Sequence, residues 1–284
     1  MSRIAYVNGQ YLPLAYASVN IEDRGYQFAD GVYEGIAVRR GRIKDLEPHL
    51  DRLERSLAGL NIDIPMQRGP LKVVLREVVH RNRTRDGFLY VQVTRGVAKR
   101  DHAFPLYAAP ALTVTCHRLD FDKVVARAKT GILAVSNPDI RWGRCDLKTI
   151  CLLPNVLAKQ HAREASAFEA VLVDSDGYVT EGSSTNIWMV DKNGTLITRA
   201  TADNILPGIT RALIADAAAE LGTKIEQRAF TLEEACGAKE MFLTSTTSCA
   251  MPIVGLDGRK IGDGKPGPVA SRLLAAYMDR LDQI

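Results

Sequence analysis

The stretch from Arg141 to Gln160, RWGRCDLKTICLLPNVLAKQ, places Lys148 between Leu147 and the apolar run Ile150 to Leu153. A lysine beside apolar residues usually buries its aliphatic stem and keeps its ammonium group in water. A buried lysine instead has a lowered pKa, and its neutral amine can form a Schiff base with an aldehyde. The stretch therefore predicts a nucleophilic lysine, provided that the remaining sequence supplies a binding site for an aldehyde cofactor.

The composition is that of an ordinary globular protein. Of its 284 residues, 46% are hydrophobic and 25% are charged, and the formal net charge is +4. This length accommodates two domains with sizeable cores. The locally basic stretch His80 to Arg85 (HRNRTR) is typical of a solvated helix end, so we expect no nucleic-acid partner.

Several other classes of protein are disfavoured by motifs that the sequence lacks. Its five cysteines form no CxxC pair and the start MSRIAYVNGQ has no apolar signal-peptide core, so we expect a reduced, cytoplasmic protein. No apolar run approaches the ~20 residues of a membrane span, so we expect no membrane partner. The zinc motif HExxH, the phosphate loop GxxxxGK[ST] and the dinucleotide fingerprint GxGxxG are missing, which disfavours a metal, a nucleoside triphosphate and a nicotinamide cofactor.

Hydrophobic periodicity predicts two α/β domains. The stretch LEPHLDRLERSLAGLNI (46–62) carries leucines at helical spacing, at positions 46, 50, 53, 57 and 60. Further helices are predicted over 71–80, 155–164, 208–222 and 269–281, and strands over 88–94, 111–117, 131–136, 169–174, 178–180 and 186–190. The charged segment RLDFDKVVARAKT (118–130) is the best candidate for a linker. We therefore predict an N-terminal α/β domain over 1–119, an interdomain linker over 120–132 and a C-terminal domain over 133–284.

One acidic residue suits the ring nitrogen of a pyridoxal cofactor. In VTEGSSTN (179–186), Glu181 closes a predicted strand and precedes a polar turn. The simplest interpretation is a turn with an incidental carboxylate. The alternative is that this carboxylate faces a pyridine nitrogen and keeps it protonated, which makes the ring an electron sink.

Three further features suit a phosphate group. LPGIT (206–210) opens a predicted helix, whose first N–H groups and Thr210 hydroxyl form an anion site, unless Thr210 is only an N-cap. TSTTS (244–248) gathers hydroxyls after a strand-like stretch, as capping turns also do. Arg52 lies beside the apolar face of its helix, where a surface arginine is the simplest interpretation. The residues alone leave both a cofactor site and a purely structural role open.

An ordered series of motifs runs along nearly the whole chain. It comprises EDRGYQFADGVYE (22–34), HLDRL (49–53), YVQVTRG (90–96), RDHAFP (100–105), IRWGRCDLKT (140–149), TEGSSTN (180–186), LPGITR (206–211) and FLTSTTS (242–248). This series resembles the fold-type IV pyridoxal-phosphate enzymes, and among them the bacterial D-amino acid aminotransferases. The resemblance implies a mixed α/β (α+β) fold with a smaller N-terminal α/β domain and a larger C-terminal domain, and with pyridoxal 5'-phosphate between them.

The same resemblance implies a role for each candidate residue. Lys148 would form the Schiff base with the cofactor, and Glu181 would pair with the pyridine nitrogen. The residues that would hold the phosphate are Arg52, Ile209, Thr210, Ser245 and Thr246, with Leu206 against the ring. The residues that would bind the substrate α-carboxylate are Tyr33, Tyr90, Arg100 and His102, the last two reaching in from the second subunit of a homodimer. The implied reaction is a ping-pong transfer of an amino group between D-amino acids, such as D-alanine and D-glutamate, and 2-oxo acids.

One departure and several alternatives qualify this interpretation. Where the best-known members have a bulky aliphatic residue after DGVYE, this chain has Gly35, which predicts a roomier side-chain pocket. Branched-chain L-amino acid aminotransferases and aminodeoxychorismate lyases share the lysine, the glutamate and the phosphate-binding residues, but the pair Arg100 and His102 favours the D-amino acid enzyme. A module that binds pyridoxal phosphate or nucleic acid without turnover is the alternative from another class.

Overall fold

The computed structural model describes residues 3–201 and 204–283. These residues form two compact units. Unit 1 extends to Asp120 and also includes Leu147–Cys151, whereas unit 2 comprises Phe121–Asp146 and the chain from Leu152 onward. The mixed α/β class predicted from the sequence is confirmed, because each unit combines a β-sheet with α-helices.

Unit 1 is an antiparallel sheet with two long helices. In chain order it contains β1 (Ile4–Val7), β2 (Gln10–Pro13), a short 3-10 helix (Leu14–Tyr16), α1 (Arg24–Phe28), β3 (Gly31–Arg39), β4 (Arg42–Ile43), α2 (Leu46–Gly59), α3 (Arg68–Arg81), β5 (Gly87–Thr94) and β6 (Ala111–Arg118). The strand order across the sheet is β2-β1-β6-β5-β3-β4. Residues of β3 and β5 pair in register, with Tyr33 opposite Gln92 and Gly35 opposite Tyr90.

The core of unit 1 lies between one face of this sheet and α2 and α3. Leu50, Leu53 and Leu57 of α2 are buried there, as the leucine spacing predicts, and they pack with alternate residues of β3 and β5 such as Ile36 and Leu89. Because side chains alternate along a strand, the residues between these core positions project from the opposite face. That opposite face carries Tyr33 and Tyr90, so one sheet supports both the core and the candidate site.

Unit 2 is built on a mixed sheet. In chain order it contains α4 (Phe121–Ala128), β7 (Ile132–Pro138), α5 (Leu153–Glu164), β8 (Glu169–Val173), β9 (Val179–Gly182), β10 (Asn186–Val190), β11 (Leu196–Thr198), α6 (Ile209–Glu220), β12 (Ile225–Gln227), α7 (Leu232–Cys236), β13 (Glu240–Ser245), β14 (Cys249–Leu256), β15 (Arg259–Lys260) and α8 (Pro268–Asp282). The strand order is β12-β11-β10-β13-β14-β7-β8-β9, and β15 pairs with β14. Helices α6 and α8 pack on β13, and α8 also covers β14.

The observed units differ from the sequence-based boundaries at two places. The segment predicted as a linker contains α4, which packs on β14 through a face that buries Phe121 and Ala128. The short segment Leu147–Cys151 belongs to unit 1, although the sequence placed it in the C-terminal domain. Among the helices of 3–201 and 204–283, none is long and apolar enough to cross a membrane.

Candidate active site

Lys148 is fixed through its backbone by two elements of unit 1. Its carbonyl accepts a hydrogen bond from the N–H of Tyr33 (3.0 Å), and the N–H of Ile150 donates to the carbonyl of Gly31 (3.1 Å). Its own N–H donates to Oγ of Ser56 on α2 (3.2 Å). The lysine therefore extends from a short stretch of chain that is paired with the start of β3, rather than from a mobile loop.

The lysine amine lies over an aromatic pair. Nζ of Lys148 is 4.2 Å from the centre of the Tyr33 ring. The rings of Tyr33 and Tyr90 are stacked, with centroids 5.4 Å apart. The Tyr90 hydroxyl donates to Oε1 of Gln92 (2.9 Å), and burial together with the neighbouring Tyr33 raises the pKa of Tyr90 to about 12. Tyr90 is therefore a neutral phenol near pH 7, and three residues that the resemblance assigned to the site lie together.

The space beside Gly35 is filled by an aromatic side chain. A Cβ atom at Gly35 would overlap the ring of Phe88, which reaches across from β5. The glycine therefore leaves no open space directly beside it, because the Phe88 ring stands where a larger residue 35 would place its side chain, and a roomier substrate pocket stays a prediction. The absence of a side chain at Gly35 leaves the room that the Phe88 ring occupies, so the space here depends on both residues together.

Arg52 is buried rather than on the surface. Its Nε donates to Oε1 of Glu34 (2.7 Å) and its Nη2 to Oε2 of the same carboxylate (2.8 Å). Nδ1 of His49 lies 2.7 Å from Oε2 of Glu34. Burial by itself raises the pKa of Glu34, but the charge and hydrogen bonds of Arg52 and the bond from His49 outweigh it, so the pKa falls to about 2. The guanidinium is thus held in one orientation by an ionised carboxylate.

Arg100 and His102 lie on the exposed loop that follows β5. The guanidinium carbon of Arg100 is 5.0 Å from the centre of the Phe28 ring, and the His102 ring is 5.4 Å from the same ring. Both side chains therefore lie near the same aromatic ring, that of Phe28 in α1.

In unit 2, Glu181 is a buried carboxylate with several donors. It lies in β9 and is 6% exposed. Its Oε2 accepts hydrogen bonds from Nδ2 of Asn186 (3.1 Å) and from the N–H of Leu206 (3.0 Å). Arg141 donates to its Oε1. These donors fix the direction in which the carboxylate points.

Arg141 joins this carboxylate to a second one. Its Nη2 lies 2.6 Å from Oδ2 of Asp139, which also accepts a hydrogen bond from the Thr180 hydroxyl (2.6 Å). Burial alone raises the pKa of Asp139, but its bonds to Arg141 bring the net pKa below the ordinary value. Sequence reasoning assigned no role to Arg141, Asp139 or Asn186, although Arg141 and Asn186 lie in the quoted motifs IRWGRCDLKT and TEGSSTN.

The start of α6 and the β13–β14 turn lie at the same edge of the unit 2 sheet. The N-cap of α6 is Gly208 and no side chain caps it, so the buried Thr210 is in the first helical turn and is not the N-cap. A Cβ atom at Gly208 would overlap Oδ1 of Asn186, and Asn186 pairs with Thr244 across β10 and β13. Ser245 follows directly, and its Oγ accepts the N–H of Ser248 (3.0 Å). Helix N–H groups and hydroxyls, the donors that an anion site uses, therefore lie at the same edge of this sheet.

Comparison with known proteins identifies relatives along nearly the whole chain. The family model described as amino-transferase class IV matches residues 31–256. A D-alanine aminotransferase of Bacillus licheniformis is 41% identical over 274 residues, which are 96% of this chain and 95% of the relative. A D-alanine aminotransferase of Listeria monocytogenes serotype 1/2a (strain 10403S) is 37% identical over 276 residues, which are 97% of this chain and 95% of the relative.

Solved structures show the same fold. The Escherichia coli branched-chain amino acid aminotransferase superposes with a TM-score of 0.90 at 22% identity, covering 98% of this chain and 94% of the other. A branched-chain amino acid aminotransferase of T.th., complexed with N-(5'-phosphopyridoxyl)-L-glutamate, gives a TM-score of 0.88 at 27% identity and covers 98% of this chain and 94% of the other.

Proposed function

Because the chain belongs to the class IV aminotransferase family, we propose that it is a pyridoxal-phosphate-dependent transaminase that moves amino groups between D-amino acids and 2-oxo acids. The observation that carries this proposal is the identity of 41% to a D-alanine aminotransferase across 95% of that relative. The geometry supports it, since a fixed lysine amine, a buried carboxylate and an anion-binding helix end are the groups that such a cofactor requires.

The donor set of unit 2 fits a phosphorylated pyridine. The uncapped start of α6 offers the N–H groups of Ile209 and Thr210 to a phosphate, with the hydroxyls of Ser245 and Thr246 from the same edge of the sheet. Arg52, whose orientation Glu34 already fixes, is a further proposed phosphate ligand. Leu206, whose N–H holds Glu181, is proposed to pack against the pyridine ring.

When bound, pyridoxal phosphate supplies an aldehyde that condenses with amines and a ring that withdraws electrons from the bound substrate. Nζ of Lys148 is the proposed attachment point of the resting enzyme. Nζ of Lys148, when a substrate amine has taken its place, would move the proton at the substrate Cα. The backbone bonds of Lys148 fix the start of its side chain, and Nζ lies 4.2 Å from the centre of the Tyr33 ring. Glu181 is proposed to hold a proton on the pyridine nitrogen, a task for which its donors keep it oriented.

The substrate carboxylate is proposed to bind to Tyr33, Tyr90, Arg100 and His102. A guanidinium suits a carboxylate because both groups are planar and can form two parallel hydrogen bonds. We propose that Arg100 and His102 act on the site of the other subunit in a homodimer. Large apolar side chains on the same loop support this proposal, since Leu106 is 94% exposed and Tyr107 is 92% exposed in the single chain.

A cytoplasmic location is part of the proposal. The five cysteines are free thiols in the structure. Free thiols are typical of proteins in a reducing compartment. The proposed partners are small amino and 2-oxo acids, the substrates of the proposed reaction, together with a second copy of the chain.

The alternative of a branched-chain L-amino acid aminotransferase rests on one observation, the structural similarity to branched-chain amino acid aminotransferases. A donor panel separates the two activities. The protein loaded with pyridoxal phosphate is mixed with D-alanine, D-glutamate, L-leucine or L-alanine, and the visible absorption of the bound cofactor is followed. Loss of this absorption with D-alanine and not with L-leucine supports the proposal, whereas loss with L-leucine alone supports the alternative.

A further inference from the structure

Arg24, the first residue of α1, binds three successive carbonyls of the loop that carries Arg100 and His102. The arginine is 3% exposed. Its Nη1 donates to the carbonyls of Asp101 (2.6 Å) and Ala103 (3.3 Å), and its Nη2 donates to the carbonyl of His102 (3.4 Å). A planar guanidinium can satisfy several acceptors in one arrangement only, so these bonds define the path of the loop.

A shared carboxylate fixes Arg24 to the body of unit 1. Nε of Arg24 and Nε of Arg95 each donate to Oδ2 of Asp30 at 2.7 Å, and Nη2 of Arg95 donates to Oδ1 (3.0 Å). Arg95 also donates to the carbonyls of Leu60 (2.8 Å) and Asn61 (2.7 Å) after α2. Burial alone raises the pKa of Asp30, but the bonds from both arginines bring the net pKa below the ordinary value. The anion is therefore retained between two buried cations.

The two ends of the loop meet at Gly96. Its carbonyl accepts the N–H of Arg24 (2.9 Å). Its φ of 95° lies in the left-handed region, and a Cβ atom there would overlap the carbonyl of Ala109 at the far end of the loop. The loop is thus closed at its base and tied at its middle by Arg24.

One ring supports the two exposed side chains. The Phe28 ring lies 5.0 Å from the guanidinium carbon of Arg100 and 5.4 Å from the His102 ring, and the Arg24 guanidinium carbon is 4.8 Å away. Cations are attracted to the face of an aromatic ring. The ring therefore restricts side chains that would otherwise sample many rotamers in water.

We infer that Arg24 and Phe28 are positioning residues, which hold Arg100 and His102 in the arrangement that binds a substrate carboxylate. This inference rests on the proposed function. When Arg100 and His102 are already ordered, the binding of a carboxylate does not have to offset the entropy lost on ordering the loop and its side chains. Preorganisation therefore strengthens substrate binding. Neither residue needs to touch the substrate, the cofactor or the reacting atoms.

The test uses two variants. Arg24→Lys keeps a positive charge but loses the planar guanidinium with its several donors, and Phe28→Leu keeps an apolar side chain but loses the aromatic ring. We expect KM for D-alanine to rise at least about tenfold in Arg24→Lys, the effect of losing hydrogen bonds to a charged group. In Phe28→Leu we expect a rise of roughly two- to fivefold, the effect of losing a cation–π contact. The inhibition constant of propionate, a plain carboxylate, is expected to rise by a similar factor. In contrast, kcat and the visible absorption of the bound cofactor are expected to stay near the wild-type values, and Phe28→Tyr is expected to restore KM.

A second readout does not depend on turnover. Trypsin is expected to cut after Lys99 or Arg100 faster in the Arg24→Lys protein, because the loop is no longer tied. The matched control is Arg81→Lys, which alters another arginine of unit 1 that lies 4.2 Å from an aromatic ring, that of Tyr11. This control is expected to leave KM and loop cleavage unchanged.

The possible failures are distinguishable. If the wild-type protein does not transaminate D-alanine, the proposed function fails, and the trypsin readout still decides whether Arg24 ties the loop. If the wild type is active but both Arg24→Lys and Phe28→Leu keep the wild-type KM and propionate inhibition, the positioning role is refuted. If Arg24→Lys does not fold, Phe28→Leu and its restoration by Phe28→Tyr decide the question.

Discussion

Glu34 and Arg52 form a two-pronged ion pair in which both side chains are at most 4% exposed, with Nε 2.7 Å from Oε1 and Nη2 2.8 Å from Oε2. The pair joins β3, which carries Tyr33, to the helix proposed to supply a phosphate ligand. Removing one partner of a buried ion pair strongly lowers the free energy of unfolding, because it leaves the other charge buried and unpaired. The intact pair adds little stability compared with apolar packing in its place.

Glu34→Gln is predicted to lower the free energy of unfolding by about 3–5 kcal/mol, because it removes the carboxylate charge that the buried Arg52 guanidinium binds. Urea unfolding at pH 7 measures the loss. The control is Glu77→Gln, which removes a half-exposed partner of Arg81 and is predicted to cost less than about 1 kcal/mol. Equal losses in the two variants would contradict the account of this pair.

The stabilisation from Glu34 is predicted to disappear in acid. Its folded-state pKa of about 2 lies below the ordinary 4.5. A lowered pKa means that the contribution is complete above about pH 4.5 and is lost as the pH falls toward about 2. The difference in unfolding free energy between wild type and Glu34→Gln is therefore predicted to shrink across that range. A difference that stays constant from pH 7 to pH 3 would show that folding does not lower the pKa of Glu34.

Phe88→Ala is predicted to open the space above Gly35 and to admit larger donors. The ratio of kcat/KM for D-leucine to that for D-alanine is expected to rise about tenfold, in the range that one or two methylene groups contribute to selectivity. The double variant Phe88→Ala with Gly35→Val refills the space and is the matched control, with the ratio expected to return toward that of the wild type. An unchanged ratio in both variants would place the substrate side chain elsewhere.

Glu181→Gln is predicted to retain cofactor but to slow the half-reaction with D-alanine by about 100-fold or more, since an amide cannot hold the proton of the pyridine nitrogen by charge. Stopped-flow absorption measures the rate. Glu164→Gln, at the end of α5, alters an exposed carboxylate and is the control. A wild-type rate in Glu181→Gln would remove this residue from the mechanism.

Arg100→Ala is predicted to weaken D-alanine binding by roughly 2–5 kcal/mol, the cost of removing one partner of a desolvated charge pair. If Arg100 serves the other subunit, a heterodimer of Arg100→Ala and Lys148→Ala chains regains one working site. Differently tagged chains allow the heterodimer to be purified and assayed. Verified heterodimers without activity, or full activity of Arg100→Ala alone, would argue against this role.

Much of the fold could be predicted from the sequence because local periodicity specifies it. Leu50, Leu53 and Leu57 of α2 are buried and Leu46 is partly buried, as their spacing indicates, and the strand predicted over 186–190 is observed as β10. Helix α4 was missed because it is short and charged, and its burial depends on the strand β14 far along the chain. The pairing of Leu147–Cys151 with β3 is a long-range contact that no local pattern encodes.

In the candidate site, too, local motifs predict some features, whereas contacts between residues far apart in the sequence could not be predicted. Glu181 at the end of a strand and the helix start at Gly208 follow from local motifs. The burial of Arg52 depends on Glu34 from a different element, and the Phe88 ring that fills the space beside Gly35 comes from the neighbouring strand. Such partners come together only in the folded structure, so a single residue type could not reveal them.

The central claim is that Lys148 carries the cofactor and is released by D-amino acids, and borohydride trapping tests it most directly. The protein loaded with pyridoxal phosphate is reduced with borohydride and its labelled peptide is mapped, with and without prior addition of D-alanine. Lys159, whose Nζ lies 4.6 Å from the centre of the Phe168 ring, is an internal control for a lysine beside an aromatic side chain. We predict that the label falls on Lys148 and that prior D-alanine, but not L-leucine, prevents it. Label on Lys159, or label on Lys148 that only L-leucine prevents, would contradict the account.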